Sequence, residues 1–214
     1  VGFVLKAVFD RADLLWVIAI GTLMVLIAAR EVMARQEHRF RGAWGYGIGL
    51  AGMSMSSFGV TLLALWVIID VQPWYLPQYA IPLLGMLLGN TMNGIALSLD
   101  RLSQSAWQHR GVIEARLLMG HSARQAVAEF RRDAMRVGVI PITNAMAAAG
   151  IISLPGMMTG QILAGTPPVE AVKYQILIMF LIAAGTGFGT LVAVQVASKH
   201  LFDERQRLRL DRLR

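Results

Sequence analysis

Polar side chains recur at helical spacing inside one of the most apolar stretches of the chain. Within Ile81–Asp100 they are Met86, Asn90, Asn93 and, at the end of the stretch, Asp100. Steps of three, four and seven residues place them near one face of a helix. Amide groups in hydrocarbon are costly unless they are paired or face water. Two roles therefore stay open for this face: hydrogen bonding to a neighbouring helix, or lining a transport path.

A second polar position, Asn144, lies in the apolar run Val137–Leu154, three residues after Pro141. Proline removes a backbone donor, so we expect a kink near Pro141. Asn144 either satisfies the backbone groups that the kink frees or lines the same path.

The segment Ser153–Gly165 (SLPGMMTGQILAG) interrupts the end of this run. Because Leu154 precedes Pro155 and Gly156 is unrestricted, we expect the helix to end or break at Leu154–Gly156. Thioether, hydroxyl and amide groups follow on the outward side: Met157, Met158, Thr159 and Gln161. Three interpretations stay open: a flexible outer gate, plain helix termination, or a metal site in which the two methionines are soft ligands. We favour a gate hinge, because flexible methionines suit surfaces that repack.

The composition is that of a membrane protein. Of 214 residues, 56% are hydrophobic and 15% are charged, with a mean hydropathy of +0.55, whereas about a quarter of the residues in soluble domains are charged. The absence of cysteine excludes disulfides and thiolate metal sites. The net charge is +7, and the basic residues responsible for it lie between apolar runs and at the C-terminus. This distribution is typical of membrane topology rather than of nucleic-acid binding. The sequence begins without methionine inside an apolar run, so we expect that N-terminal residues are missing.

The lengths of the apolar runs predict an all-α, polytopic membrane bundle in which residues 1–214 form one transmembrane domain. About 20 apolar residues are needed to cross the hydrocarbon core. The predicted spans are Leu14–Ala29, Ala43–Ile69, Ile81–Leu99, Val137–Leu154 and Ile176–Ala197, after a partial span that ends near Phe9.

The distribution of basic residues predicts the orientation. Seventeen of the 20 Lys and Arg residues lie in three alternate connections, 30–41, 101–136 and 199–214. Such an excess marks the cytoplasmic side. The opposite connection, 70–80, contains Trp74, Tyr75 and Tyr79, as an interfacial aromatic belt does. We therefore expect a multi-pass protein of the cell membrane, in bacteria the inner membrane, with the three basic segments in the cytoplasm.

The cytoplasmic segment 101–136 is predicted to form a helix, a glycine elbow and a second helix. Gly120 can end the first helix, and Ser122 with Gln125 has the capping-box pattern that begins the second. An apolar stripe at helical spacing follows: Ala123, Ala126, Val127, Phe130 and Ala134. This stripe fits a helix on the membrane surface and a docking element for a cytoplasmic protein equally well.

Glu114-Ala115, followed by Gly120, resembles the EAA-type coupling loop of ABC transporter permeases, with Arg116 in place of the motif's second alanine. Longer blocks extend the resemblance over essentially the whole chain: IPLLGMLLGNTM (81–92), EARLLMGHSARQA (114–126) and SLPGMMTGQILAGTPPVEAVKYQI (153–176). On these blocks the chain is identified as a member of the FetB-type iron export permeases, a family that includes plant half-transporters associated with aluminium tolerance.

The resemblance implies the permease subunit of an ABC exporter, whose pore is formed by two permease copies. ATP and Mg²⁺ are then bound by a separate FetA-type ATPase. The contact residues implied for that ATPase are Glu114, Ala115, Gly120, His121 and Ser122. The sequence is consistent with this division, because it has no Walker A loop: none of its three lysines follows a glycine.

The expected function is export of iron, another metal or a metal chelate, and other classes of function are also considered. An intramembrane enzyme needs convergent His, Asp, Glu or Ser/Lys groups at membrane depth, and no such set is visible in the spans, so we predict that the chain is not an enzyme. An ATP-independent channel or secondary transporter remains an alternative, as does an ABC exporter of a small organic solute.

Overall fold

The computed structural model describes residues 14–35, 43–69, 73, 75–152 and 154–213. In chain order the helices are α1 (Leu14–Ala34), α2 (Ala43–Met53), α3 (Gly59–Leu63), α4 (Pro77–Gln108), α5 (Arg110–Leu118), α6 (Ala123–Ala126), α7 (Ala128–Ala148), α8 (Gly156–Leu163) and α9 (Pro168–His200). Two π-helical segments, Ser54–Phe58 and Ala64–Ile69, flank α3, and a 3₁₀ turn covers Leu210–Arg212. The predicted all-α membrane bundle is confirmed.

Four helical stretches of the described residues are long and apolar enough to cross a membrane: Leu14–Ala34, Trp44–Val67, Pro77–Gln108 and Pro168–His200. The second of them is continuous from α2 through both π segments. These four correspond to the first, second, third and fifth predicted spans. The partial span near Phe9, residues 36–41 of the basic connection 30–41 and Trp74 lie outside the described residues.

The predicted span Val137–Leu154 is not among these four. It belongs to α7, which begins in the basic segment 101–136 at Ala128 and ends at Ala148, six residues before the predicted end. The helix ends early because Ala149 is extended and Gly150 has a φ of +80°. The helix continues through Pro141, and the kink expected there stays a prediction.

The long helices α4 and α9 form the centre of the bundle. Each begins with a proline in its first turn, Pro77 or Pro168, where the missing N–H leaves no helical hydrogen bond unmade. α4 packs against α1, α7 and α9, and α9 also contacts α2, α7 and α8. At the crossing of α4 with α7, a Cβ on Gly94 would lie 2.8 Å from the carbonyl oxygen of Gly138. The two backbones therefore touch, which only glycine permits.

The C-terminal segment folds back on the C-terminal end of α9. Leu201, Phe202 and Leu213 are buried. The guanidinium of Arg212 donates hydrogen bonds to the carbonyl oxygens of His200 at 2.7 Å and of Phe202 at 3.1 Å. These bonds satisfy carbonyls that the end of a helix otherwise leaves open.

Candidate coupling elbow and membrane face

The elbow between α5 and α6 is built as the sequence predicts. α5 ends at Leu118, and Gly120 has a φ of +89°, which L side chains rarely adopt. The N–H of Gly120 donates to the carbonyl of Leu117 at 3.0 Å, and that of His121 donates to the carbonyl of Arg116 at 3.1 Å. This pair of bonds is a Schellman helix end. It fixes the direction in which the chain leaves α5.

The start of α6 is capped by its own residues and by the C-terminal segment. The predicted capping box is present: the Ser122 N–H donates to Gln125 Oε1 at 2.9 Å, and the Gln125 N–H donates to Ser122 Oγ at 3.4 Å. A third donor, the Ala123 N–H, bonds to Oε1 of Gln206 at 2.9 Å. The C-terminal segment is therefore hydrogen-bonded to the elbow.

The predicted apolar stripe after Ser122 is confirmed as the inner face of the second helix. Ala126, Val127 and Ala134 are buried, while Ala123 and Phe130 are partly buried against the same core. The helix is interrupted at Val127, whose φ of −103° and ψ of 2° separate α6 from α7. The stripe therefore packs against the protein itself.

Arg116 holds the two arms of the elbow together, a role that the sequence did not indicate. Its guanidinium donates to the Ala126 carbonyl at 3.1 Å and to Glu129 Oε2 at 2.8 Å, and it lies 5.7 Å from the ring centroid of Phe130. These contacts join α5 to the end of α6 and the start of α7. They depend on a fold-back of the chain at Gly120, so no short-range pattern could have revealed them.

A groove of about 890 Å³ lies between the elbow and residues 204–208 of the C-terminal segment. Leu118, which lines it, is 89% exposed, and the neighbouring Met119 is 69% exposed. Four of the predicted contact residues are exposed, and one is partly buried: Glu114, Ala115, Gly120 and His121, then Ser122. Adjacent apolar side chains exposed on the predicted aqueous side are typical of an interaction surface.

The far wall of the groove is stabilised by short-range hydrogen bonds. The Arg207 backbone N–H donates to Asp203 Oδ1 at 2.8 Å, and its guanidinium donates to Oδ2. These bonds, the backbone one first, lower the pKa of the Asp203 carboxyl below its usual value. A carboxylate that accepts backbone N–H bonds stays ionised, so this wall keeps its hydrogen bonds at neutral pH.

The polar residues of α4 do not form one uniform stripe. The side-chain amide of Asn90, which is partly buried, donates to the Met86 carbonyl at 2.8 Å on its own helix. Asn93 is exposed and accepts a hydrogen bond from Arg35 Nη1 at 2.5 Å. Of the two amides, Asn93 is therefore the one presented at the surface of the bundle.

Asn93 belongs to a polar face that we call the α4–α7 face, made of Asn93, Pro141 and Asn144. A cavity of about 250 Å³ brings Asn93 and Pro141 together with Arg35 and Asp100. Asn144 is exposed about one helical turn beyond Pro141. Two of the predicted path positions, Asn93 and Asn144, thus lie on the α4–α7 face, while Met86 packs among apolar side chains.

The segment after α7 differs from its prediction. Gly150, with its positive φ, ends the helix before Pro155 is reached, and Gly156 is the first residue of α8. Pro155 is the N-cap of α8, so Met157, Met158 and Gln161 lie on a short helix rather than in an unwound break. The predicted break at Leu154–Gly156 is therefore wrong in position, and Ser153 lies outside the described residues.

The two methionines proposed as soft ligands differ in burial. Met158 is buried and lines a cavity of about 420 Å³ with Met146, Met179 and Gln175. Met157 is partly buried and packs against an apolar cluster to which Met146 and Met179 also belong. In the part of the chain that the structure describes, no group of three or more His, Asp or Glu is placed to hold a metal ion. Binding of a metal by Met157 and Met158 stays a prediction.

The geometry defines a class: a multi-pass helical membrane protein with a structured elbow on its basic side. A family model described as uncharacterised protein family UPF0014 matches residues 1–202. The chain belongs to the UPF0014 family of membrane proteins.

Relatives with informative names support this assignment. The chain is 39% identical over 209 residues to a UPF0014 membrane protein of Synechocystis, which covers 97% of this chain and 80% of the relative. It is 30% identical to "Probable iron export permease protein FetB" of Escherichia coli, over 100% of this chain and 80% of the relative. It is also 30% identical to "Protein ALUMINUM SENSITIVE 3" of Arabidopsis thaliana, over 97% of this chain and 74% of the relative. The predicted resemblance to FetB-type permeases is confirmed. No solved structure matches the chain.

Proposed function

We propose that this chain is the permease subunit of an ABC exporter that carries iron, or another metal or metal chelate, out of the cytoplasm. A separate ATPase subunit binds ATP and Mg²⁺. The observation that carries the proposal is the elbow, where Leu118 and Met119 are exposed beside a groove on the basic side of the membrane. The substrate class rests on the relative whose name contains iron export.

The elbow has the properties that a coupling element needs. Its exposed apolar residues follow a helix whose end is fixed by Gly120, and Arg116 ties that helix to α7. Because α7 packs on α4 and α9, a movement of α5 caused by an ATPase bound at Leu118 is transmitted through α7 to the centre of the bundle. A channel or secondary transporter needs no such contact with a nucleotide-driven subunit, so the elbow favours the ABC class.

The α4–α7 face supports a homodimer with the path between the copies. α7 is not among the helices that are apolar enough to cross a membrane. Pro141 and Asn144 on this helix are nevertheless exposed at the surface of the single chain. Polar groups at membrane depth face protein or water rather than lipid. A second copy covering this face would enclose Asn93 and Asn144 of both chains.

The decisive experiment is capture of the ATPase by the elbow. The full-length protein would be co-expressed with its ATPase subunit, with Leu118→Glu as the test variant and Leu163→Glu, 84% exposed on α8, as the control. We expect L118E to lose co-purification of the ATPase, because the charge prevents burial of this surface, while L163E retains it. Equal retention by L118E would refute the elbow as the docking site.

Nucleotide hydrolysis by the purified complex tests the rest of the proposal. In membrane discs we expect ATP hydrolysis that rises when ferrous iron is added. Hydrolysis that does not respond to iron would keep the exporter and discard the metal, in favour of a small organic solute. An ATPase that never associates with the chain would favour the ATP-independent alternative.

A further inference from the structure

Several buried hydroxyl groups inside the bundle have no hydrogen-bond partner in the protein. Among the described residues they are Ser57, Thr61, Thr91, Thr186 and Thr190. Each is at most 5% exposed. They lie on the second span, on α4 and on α9, in segments that are otherwise apolar. Hydroxyls in such a place are normally paired, because an unpaired polar group in a dry interior is costly.

Other threonines of the protein form a hydrogen bond that the buried threonines lack. Thr22, Thr143 and Thr159 each donate to a carbonyl four residues earlier on their own helix, at 2.8, 2.9 and 3.2 Å. A helical threonine reaches that carbonyl through an ordinary side-chain rotation. The unpaired state of the buried hydroxyls is therefore specific to their position in the bundle.

Three of these residues, Thr91, Thr186 and Thr190, pack at the contact between the middle of α4 and the middle of α9. A Cβ on Gly94 of α4 would lie 2.6 Å from Thr186 Cγ2 and 3.2 Å from Thr190 Oγ1. A Cβ on Gly189 of α9 would lie 2.7 Å from Thr91 Cγ2. We call Thr91, Thr186 and Thr190 the threonine cluster.

The second span closes the cluster on another side. Ser56, in its first π segment, places Oγ 2.7 Å from the Cβ position of Gly189, and Val60 approaches Gly185 to 3.9 Å. Ser57 and Thr61 on this span add two more unpaired hydroxyls. π turns inside helices are frequent at functional sites. The span that packs on the cluster is thus the one whose backbone departs most from a regular helix.

We propose that the threonine cluster binds the exported solute as a hydrated cation, in a site that this conformation holds closed. This inference rests on the proposed function. Hydroxyl oxygens are acceptors for the water shell of a cation and suit hard ions. They are neutral, so the ion is held weakly enough to leave. The hydroxyls stay unpaired here because their partner is a ligand that enters when α4 and α9 separate.

The test replaces each threonine by valine, which keeps the shape and removes the hydroxyl. The full-length protein and its ATPase subunit would be reconstituted in vesicles, and ATP-driven ferrous iron transport measured for T91V, T186V and T190V. We expect each to lower the initial rate about fivefold, the effect of losing one hydrogen bond. ATP hydrolysis without iron should stay unchanged. The melting temperature should stay unchanged or rise, because the substitution removes an unpaired buried hydroxyl.

Two sets of controls separate a binding role from packing. T22V removes a hydroxyl that faces outward on α1 and should transport as wild type. Thr→Ser variants of the cluster keep the hydroxyl and should retain most of the transport. Wild-type transport in all three valine variants would overturn the proposal. A loss in the serine variants equal to that in the valine variants, or a lower melting temperature for the valine variants, would overturn it too, since packing would then be the cause.

The same experiment separates failure of the site from failure of the proposed function. If the wild-type complex hydrolyses ATP and moves iron, the valine variants decide on the threonine cluster alone. If it hydrolyses ATP but moves no iron, the cation as ligand is refuted. If it hydrolyses no ATP, the exporter itself is refuted.

Discussion

The elbow between α5 and α6 and the threonine cluster differ in how their polar groups are hydrogen-bonded. At the elbow, the end of α5 and the start of α6 are both capped, and a distant glutamine and an arginine add further bonds. In the cluster, hydroxyls that could bond to their own helix remain unpaired, and glycines bring the backbones into contact.

This difference corresponds to two mechanical requirements. A segment that transmits force must keep one shape, and the capped helix ends of the elbow fix its shape. In a segment that changes conformation, polar groups can be unpaired in one state and paired in the other. The free-energy cost of the unpaired groups then shifts the equilibrium towards the state in which they are paired. On the proposed function, we expect the elbow to act as a rigid lever and the interface between α4 and α9 to move.

The largest effect is expected from filling the contact between α4 and α7. In Gly138→Ala the new Cβ would lie 2.7 Å from the Gly94 carbonyl oxygen and 2.8 Å from Thr190 Cγ2. Since the backbones must separate, we expect a loss of about 3 kcal/mol in stability, measured by thermal unfolding in detergent. The control Gly187→Ala on α9 has open space around it and should be neutral or slightly stabilising. Equal stability of both variants would show that the contact is not tight.

An intermediate effect is expected at the elbow glycine. Gly120 meets no neighbour within 4 Å, so only its φ of +89° opposes a side chain. Gly120→Val should cost about 2 kcal/mol locally and turn Leu118 away from its position. We expect ATP hydrolysis by the complex to continue while ferrous iron transport falls, because the two are uncoupled. Full coupling in this variant would show that the elbow does not act as a lever, and Gly111→Ala, in α5 with open space, is the control.

The smallest effect is expected from the arginine that ties the arms together. Arg116→Gln removes the bond to the Ala126 carbonyl and the contact with Phe130, and should cost about 1.5 kcal/mol. Glu129→Gln removes only the charge of a carboxylate that is 70% exposed, which should cost less than about 0.5 kcal/mol. Chemical denaturation of the two variants measures this ratio. A larger loss in the Glu129 variant would assign the stability to the ion pair instead.

The elbow could be predicted from the sequence because its determinants are local. Gly120 ends one helix within four residues, and the Ser122–Gln125 pair begins the next within three. The four long apolar spans could be predicted for the same reason, because each is a continuous run of apolar residues long enough to cross a membrane. Arg116 escaped prediction because its contacts depend on the tertiary fold-back.

The outer break and the threonine cluster could not be placed in this way. Pro155 was the conspicuous breaker, but Gly150 ended α7 first, and sequence alone gives no order of preference between them. The cluster combines side chains from helices that are about a hundred residues apart. A threonine in an apolar helix is ordinary, and only the tertiary structure shows that its hydroxyl is unpaired.

The π segments of the second span also bear on how this protein tolerates changes in length. Deleting one residue from a regular helix rotates everything beyond it by about 100°, which turns a buried face towards lipid. Each π turn already holds one residue more than an α turn. A deletion within Ser54–Phe58 therefore removes the bulge and leaves the faces on both sides aligned. In this span, single-residue differences in length are compatible with an unchanged fold.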